Sequence, residues 1–303
     1  MTDQGTVPLS QMISERQDAA IINFWLNDSV RRNYKIPNEC VCDDSKALHS
    51  ALTRAYALCG STMHYKQMCF RFLTNQSSEL PRCFIRNDFA HFINNARKWP
   101  LWKQRTHKLV KCHFLRWLAL LVQCNFADFE NRLLDILTVT LAETIGRAVQ
   151  KSKRNLLDLV SGIEVPNDDG EDQQAVDEPN NEEEDADTPQ EIRQWLEGIV
   201  KRAKTRAAEQ GDDINTYAHP DFVEKLIKIC LDFVMWSGVM VECFGSPYPT
   251  GVSAHVEEYL DDLKERIFEN ETLPVAILHF VAAKLSSIIG YVCIVSLPLE
   301  KKK

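Results

Sequence analysis

Three places in this 303-residue chain combine residue types and spacings that can do chemistry. Asp43 closes the short run Glu39-Cys-Val-Cys42. A carboxylate just past a strand lies where α/β proteins tend to hold ligands, although Asp43 and Asp44 equally suit capping of the helical stretch that follows. Asp88-Phe89-Ala90-His91 sets an acid and an imidazole three residues apart on one helical face, so that each can orient the other. A capping Asp and a buried polar His share that spacing. Glu257 lies in AHVEEYLDDLKERIF, where Val256, Tyr259, Leu260, Leu263 and Ile267 make one apolar stripe. Glu257, Asp261 and Lys264 share a flank of that helix, so Glu257 is either an inward carboxylate or a solvated charge.

Around the Asp88/His91 pair the chain is basic. Arg86, Arg97, Lys98, Lys103, Arg105, Lys108, Lys111 and Arg116 stand against the single acid Asp88, with Trp99, Trp102 and Trp117 interleaved. Cations for phosphates and flat rings for bases suit nucleic acid. A solvated helix face over core tryptophans has the same composition.

The elements that must position these residues are bounded by composition. The chain is 45% apolar, enough for a substantial core, which excludes the disordered, collagenous and disulfide-scaffold classes. Its net charge of −8 is uneven: Glu164 to Glu191 holds 13 acidic residues and no Lys or Arg. The remainder carries 35 basic against 30 acidic residues, a net of +5. The ten cysteines lie mostly inside apolar runs without any CxxC, which predicts reduced, buried thiols. A zinc set of Cys83, His91, Cys112 and His113 is the alternative use of those residues, without the paired spacing zinc sites show. The amino terminus has no signal-peptide core. Leu285 to Leu299 is a run of 15 uncharged residues, short of the ~20 a span needs. It predicts a buried terminal helix or strand, with a tail anchor as the alternative.

Along the chain, Gly5 to Ser14 reads as a strand and 16–33 as a helix. Residues 39–42 read as a strand, Ser45 to Cys59 as a helix and Arg82 to Arg86 as a further strand. Strand, acidic end, helix is the order of an α/β unit. Beyond residue 90 the periodicity is helical over 107–122, 126–150, 189–209 and 219–243. The acidic tract between them reads as a disordered linker dividing the chain near residue 175. Thr188-Pro189-Gln190-Glu191 restarts helix, with Thr188 as N-cap and Glu191 at the capping-box position.

The blocks VPLSQMISERQDAAIINFWL, ECVCDDSKALHSALTRAY, CFIRNDFAHFINNARKW and GVSAHVEEYLDDLK, in that order and spacing, resemble Mutator-like element transposases over most of residues 5–290, the acidic tract excepted. The resemblance implies a mainly α protein with a small α/β part: an RNase H-like core interrupted by an all-helical insertion. On that reading 1–95 is partial core and 96–163 the first part of the insertion. The acidic linker is 164–188, the second part of the insertion 189–245, and 246–303 returns to the core. It implies an Asp-Asp-Glu triad, with Asp43 resembling the second Asp, Glu257 the final Glu, and Asp88 with His91 the C/D-x-x-H motif. Asp43 and Glu257 would be ligands for Mg²⁺ or Mn²⁺, the two-metal chemistry of phosphoryl transfer needing several hard oxygen donors. DNA contacts would fall to Arg86, Arg97, Lys98, Lys103, Arg105, Lys108 and Lys111. The resemblance further implies an intracellular, nuclear location and self-association, with no membrane partner.

The family's first Asp sits on a strand ahead of the GTVPLSQMIS block, and only four residues precede Gly5 here. In the RNase H-like order 3-2-1-4-5 the first two strands fill the middle of the sheet. Without them, buried strand edges need other partners. The expectation is either pairing of 5–12 with 39–43 or an amino-terminal segment that wanders. Three functions follow: a transposase-derived protein, inactive by itself, with residual DNA binding; an incompletely read active transposase; or a helical interaction protein whose acidic tract binds basic partners.

Overall fold

The computed structural model describes residues 18–102, 108–161 and 188–251, all within one compact unit running from Met12 to Val252. These residues are mainly helical, with one two-stranded parallel sheet. The first part runs α1 (Ala19–Arg31), β1 (Glu39–Cys42), α2 (Lys46–Ala55), α3 (Thr62–Leu73), β2 (Phe84–Asn87) and α4 (Phe89–Arg97). The second runs α5 (Lys108–Val122), α6 (Phe126–Leu141), α7 (Arg147–Val160), α8 (Gln190–Ala207), α9 (Pro220–Cys230), α10 (Phe233–Trp236) and α11 (Val241–Phe244).

Parallel strands need a long crossover, and α2 with α3 supply it. β1 and β2 pair in the register Glu39↔Phe84 to Cys42↔Asn87. Phe84 N–H donates to Asn38 O and Asp88 N–H to Cys42 O, each at 2.8 Å. The backbone groups of Ile85 point the other way, and Tyr65 of α3 satisfies both. Its hydroxyl accepts from Ile85 N–H at 2.9 Å and donates to Ile85 O at 3.3 Å. A tyrosine, fully buried, thus does for β2 at this point what a neighbouring strand would do. Pairing of 5–12 with β1 concerns residues outside those described, as do the predicted strand 5–14 and the segment 285–299. Among the described residues the sheet has two strands.

The helices begin where short polar side chains can take the first N–H groups. Asp18, Ser45, Ser61, Asp88 and Asn125 each accept a side-chain capping bond. Ser45, rather than Asp43 or Asp44, caps α2, its hydroxyl accepting from Leu48 N–H at 3.4 Å. That corrects the capping role open to the two acids and leaves their carboxylates for other partners. The second strand starts two residues later than its apolar run suggests, at Phe84, and α3 has no counterpart in the predicted elements.

The predicted helix 126–150 is two helices. Asn215, from beyond α8, donates through its amide to Val139 O and Ala142 O, both at 2.7 Å, closing the end of α6. Residues 143–145 then run beside 213–215, with Ile145 N–H donating to Asp213 O and Asn215 N–H to Glu143 O. Gly211 packs so closely on Ile145 that an added Cβ would stand 2.0 Å from its carbonyl oxygen. Likewise 219–243 breaks into α9, α10, a short 3₁₀ turn and α11. Helix α8 starts at Gln190 with Pro189 as N-cap and no side-chain cap bond. Thr188 therefore does not cap it, and Glu191 binds Arg71 and Gln67 of α3 instead of closing a capping box. Helix α6, before the acidic tract, and α8, after it, pack on each other within one compact unit.

The core is continuous and aromatic. Phe70, Phe126, Phe129, Trp195, Phe233 and Trp236 interlock through stacked and edge-on packing. Phe114 stacks on Phe222 at 4.1 Å, beside Trp102 and Trp117. Trp99 and Trp117 are buried and Trp102 is half-buried. Trp99 and Trp117, candidates for base stacking by sequence, are core residues.

Candidate functional site

Parallel pairing sets the geometry of the site. Because Cys42 lies opposite Asn87, the residues that follow, Asp43 and Asp88, leave the two strands at the same carboxyl edge. Asp88 is 1% exposed and caps α4, its Oδ1 accepting from His91 N–H at 2.8 Å. That helical turn brings the His91 ring back over the edge, where Nδ1 stands 3.5 Å from Asp88 Oδ1 and 3.5 Å from Asp43 Oδ1. The Asp43 side chain is 61% exposed and that of His91 38%. Asp43, Asp88 and His91 therefore meet, though 45 residues separate the two acids in sequence. Asp88 both caps the helix and faces the imidazole, so the two roles open to it from spacing are one.

A second polar layer lies behind, and nothing in the sequence periodicity signals it. Asn87, at the end of β2, donates from Nδ2 to Asp44 Oδ1 at 2.9 Å. His49 of α2 is 8% exposed; burial holds its pKa below the usual histidine range, against the opposing pull of Asp44 and the Asn87 amide. Lys66 of α3, 4% exposed, reaches Asp232 Oδ1 at 2.5 Å. A charged lysine at that depth is tolerated because a carboxylate meets it. The trace Lys66 leaves in the sequence is a cation next to Tyr65 and close to the apolar run Met68-Cys69-Phe70.

The residues expected to meet DNA fare differently. Arg86 is 3% exposed and ion-paired with Glu39; its guanidinium donates to Tyr248 O at 3.2 Å and Pro249 O at 3.4 Å. Its charge is thus consumed inside the protein, and it does not face a partner at the surface. Ser246 donates to Glu39 Oε2 at 2.6 Å, and Phe89 N–H donates to Gly251 O at 2.8 Å. The chain at 246–251 is thereby laid along both strands and ends beside Asp88. Lys98 is exposed, while Arg97 and Lys111 are partly buried. Lys103, Arg105 and Glu257 lie outside the described residues, and of Lys108 only the backbone, at the start of α5, is described.

The nine described cysteines are free thiols. Cys40 and Cys83 approach to 3.8 Å without a bond, and burial pushes the Cys42 thiol up to about 12. Thiols held protonated in this way fit packing rather than reactivity. Among the described residues no three of His, Cys, Asp and Glu are grouped to hold a metal, so the zinc set of Cys83, His91, Cys112 and His113 is not assembled. For the same reason Asp43 does not by itself make a site for Mg²⁺ or Mn²⁺; it offers one exposed carboxylate, and further oxygen donors must come from elsewhere. No helix among the described residues is long and apolar enough to cross a membrane.

Comparison with known proteins points to mobile genetic elements. The chain is similar to a protein encoded by a transposable element, which supports a transposon-related origin. That relative is the 120.7 kDa protein in the NOF-FB transposable element of Drosophila melanogaster, 29% identical over 277 residues. The similarity covers 86% of this chain but 25% of the relative, so the chain spans about a quarter of that protein's length. No protein-family model matches the chain. No solved structure matches it either.

Proposed function

We propose that this chain carries part of the DNA-processing centre of a transposase-type protein, and that its 303 residues bind DNA without cutting it. The observation that carries the reading is the shared strand edge, which brings Asp43 to the Asp88/His91 pair. Adjacent parallel strands joined through helices, each ending in an acid, are what the fourth and fifth strands of an RNase H-like core would present. The similarity to a transposable-element protein agrees with it. In this reading Asp43 would be a ligand of a divalent cation, Mg²⁺ or Mn²⁺, which when bound supplies charge stabilisation for phosphoryl transfer, and Glu257 would be such a ligand by the family resemblance alone. His91 orients the Asp43 carboxylate, and Asp88 fixes His91 by capping its helix. Two of the three carboxylates of the Asp-Asp-Glu pattern have counterparts here, so strand cleavage is not expected from these residues alone.

The test is Mn²⁺ binding to the full chain, followed by loss of the free-ion magnetic resonance signal. Asp43→Asn and Glu257→Gln are each expected to weaken binding by about tenfold or more, and His91→Phe by a similar factor through lost orientation. Equal Mn²⁺ affinity in the parent and all three variants refutes the reading. Cleavage or joining of duplex DNA by the purified chain with Mg²⁺ refutes its claim of inactivity.

A further inference from the structure

The densest exposed positive charge among the described residues is not around Asp88 but on α7 and α8. Between them these two helices carry nine Lys or Arg against the three acids Asp158, Glu191 and Glu197. The fold places them side by side. Both pack on α6, where Asp135 accepts from Ser152 Oγ at 2.7 Å and Asn155 Nδ2 at 3.1 Å of α7, and pairs with Arg206 of α8 at 3.7 Å. Ala148 N–H, at the start of α7, donates to Glu209 just past the end of α8 at 3.2 Å, so the helices run antiparallel.

Burial then dictates which residues face out. Helix α7 buries Val149, Ser152, Leu156 and Val160, which leaves Arg147, Lys151 and Arg154, at steps of four and three, exposed on the opposite face. Helix α8 buries Ile192, Leu196, Ile199 and Ala203, and exposes Lys201 and Lys204. Arg202 and Arg206 are engaged by Glu130 and Asp135. Arg147, Lys151, Arg154, Lys201 and Lys204 make no ion pair with any described residue.

From this arrangement we propose that the outer face of the α7–α8 pair is a docking surface for the phosphate backbone of duplex DNA. Arg147 to Arg154 extends about 10 Å along the helix axis, a length over which a duplex presents roughly six phosphates. From Arg147 to Arg154 the exposed charged side chains are the three cations, beside Gln150, which suits a partner bound through charge. Asp158 of α7 and Glu197 of α8 are exposed on the same outer faces, and Leu159 at the end of α7 is a lone large apolar side chain, little for a membrane interface to take up. The inference rests on the reading of this chain as a DNA-binding protein, and moves the DNA-facing surface away from the segment 86–116.

The experiment is duplex binding by fluorescence anisotropy with the full chain from 50 to 300 mM salt. Variants are the triple Arg147/Lys151/Arg154→Gln, the double Lys201/Lys204→Gln, and all five together. Gln keeps helix propensity close to that of Lys and Arg, and unchanged circular dichroism and melting confirm folding. Each cation that no longer neutralises a phosphate flattens the slope of log affinity against log salt by about 0.9. The five-residue variant is expected to lose a slope of about 3 to 4 and at least tenfold in affinity at 100 mM salt. The proposal is overturned if the five substitutions leave affinity and slope unchanged, or if the parent binds anionic phosphatidylserine vesicles and not the duplex. Loss of binding on neutralising Arg97, Lys98 and Lys111, with none from the α7–α8 variants, overturns this inference while leaving DNA binding by the chain intact.

Discussion

Replacing Arg86 with methionine tests whether this arginine is an internal clamp. Its guanidinium is 3% exposed, pairs with Glu39, donates to two backbone carbonyls, and lies 5.2 Å from the centre of the Phe84 ring. Methionine keeps most of the stem and removes every polar interaction. The Glu39 side chain, 19% exposed, is left with Ser246 as its remaining side-chain partner, and the carbonyls of Tyr248 and Pro249 lose a donor. Removing one member of a fully buried pair costs about 3–5 kcal/mol. Partial exposure of Glu39 puts the expected loss near the low end, about 3 kcal/mol. Urea unfolding of parent and variant measures it. The second member of the cycle is Arg86→Met with Glu39→Gln, which removes the stranded charge and is expected to recover about 1–2 kcal/mol. Hydrogen exchange at Phe89 N–H should speed up in the single variant, because Gly251 O is its acceptor and the 246–251 segment is what Arg86 holds. A destabilisation below about 1 kcal/mol with unchanged exchange at Phe89 would mean that Arg86 does not fasten that segment, and the reasoning fails.

Other outcomes follow from the same geometry. Burial lowers the pKa of His49 in the folded protein, so the unfolded chain binds the extra proton first. Stability is then fully present above the unfolded value near 6.5 and declines as pH falls below it, by at most about 1.4 kcal/mol per pH unit from this group. His49→Gln should flatten that decline in urea titrations at pH 7.5, 6.5 and 5.5, and an unaltered slope refutes it. Gly211→Ala should destabilise by about 1–3 kcal/mol, because its Cβ would meet Ile145 O at 2.0 Å; a shift within about 0.5 kcal/mol in the melt contradicts that close approach. Asp88→Ala should cost about 1–2 kcal/mol through its cap and buried neighbours, whereas Asp43→Ala, at an exposed side chain, should stay within about 0.5 kcal/mol.

Local chemistry was legible where a residue answers to its neighbours in sequence. Glu39-Cys-Val-Cys42 is a strand because it is a short apolar run stopped by two acids. Helices α1, α5 and α8 follow their three- and four-residue apolar spacing, with ends within a few residues of where that spacing puts them. Asp88 and His91 meet because one helical turn joins them. The reduced state of the described thiols was also readable, since the cysteines sit in apolar runs.

What depended on distant residues was not. Periodicity cannot say that α6 stops at Leu141, because the side chain that closes it, Asn215, arrives from beyond another helix. A count of cations cannot tell Arg86, consumed by Glu39 and two carbonyls, from the exposed Lys98, since both are simply basic residues in a row. Nor can it show that α7 and α8, separated by the most acidic stretch of the chain, turn their cations outward together. The sequence determined the two acids, the helical turn that carries His91 and the amphipathic faces. Tertiary structure decided that Asp43 and Asp88 share a strand edge, that the Tyr65 hydroxyl takes up both backbone groups of Ile85, and which positive charges reach solvent. The reason is physical: capping and amphipathicity act within a turn or two, while burial, register and charge pairing are settled by whichever part of the chain packs alongside.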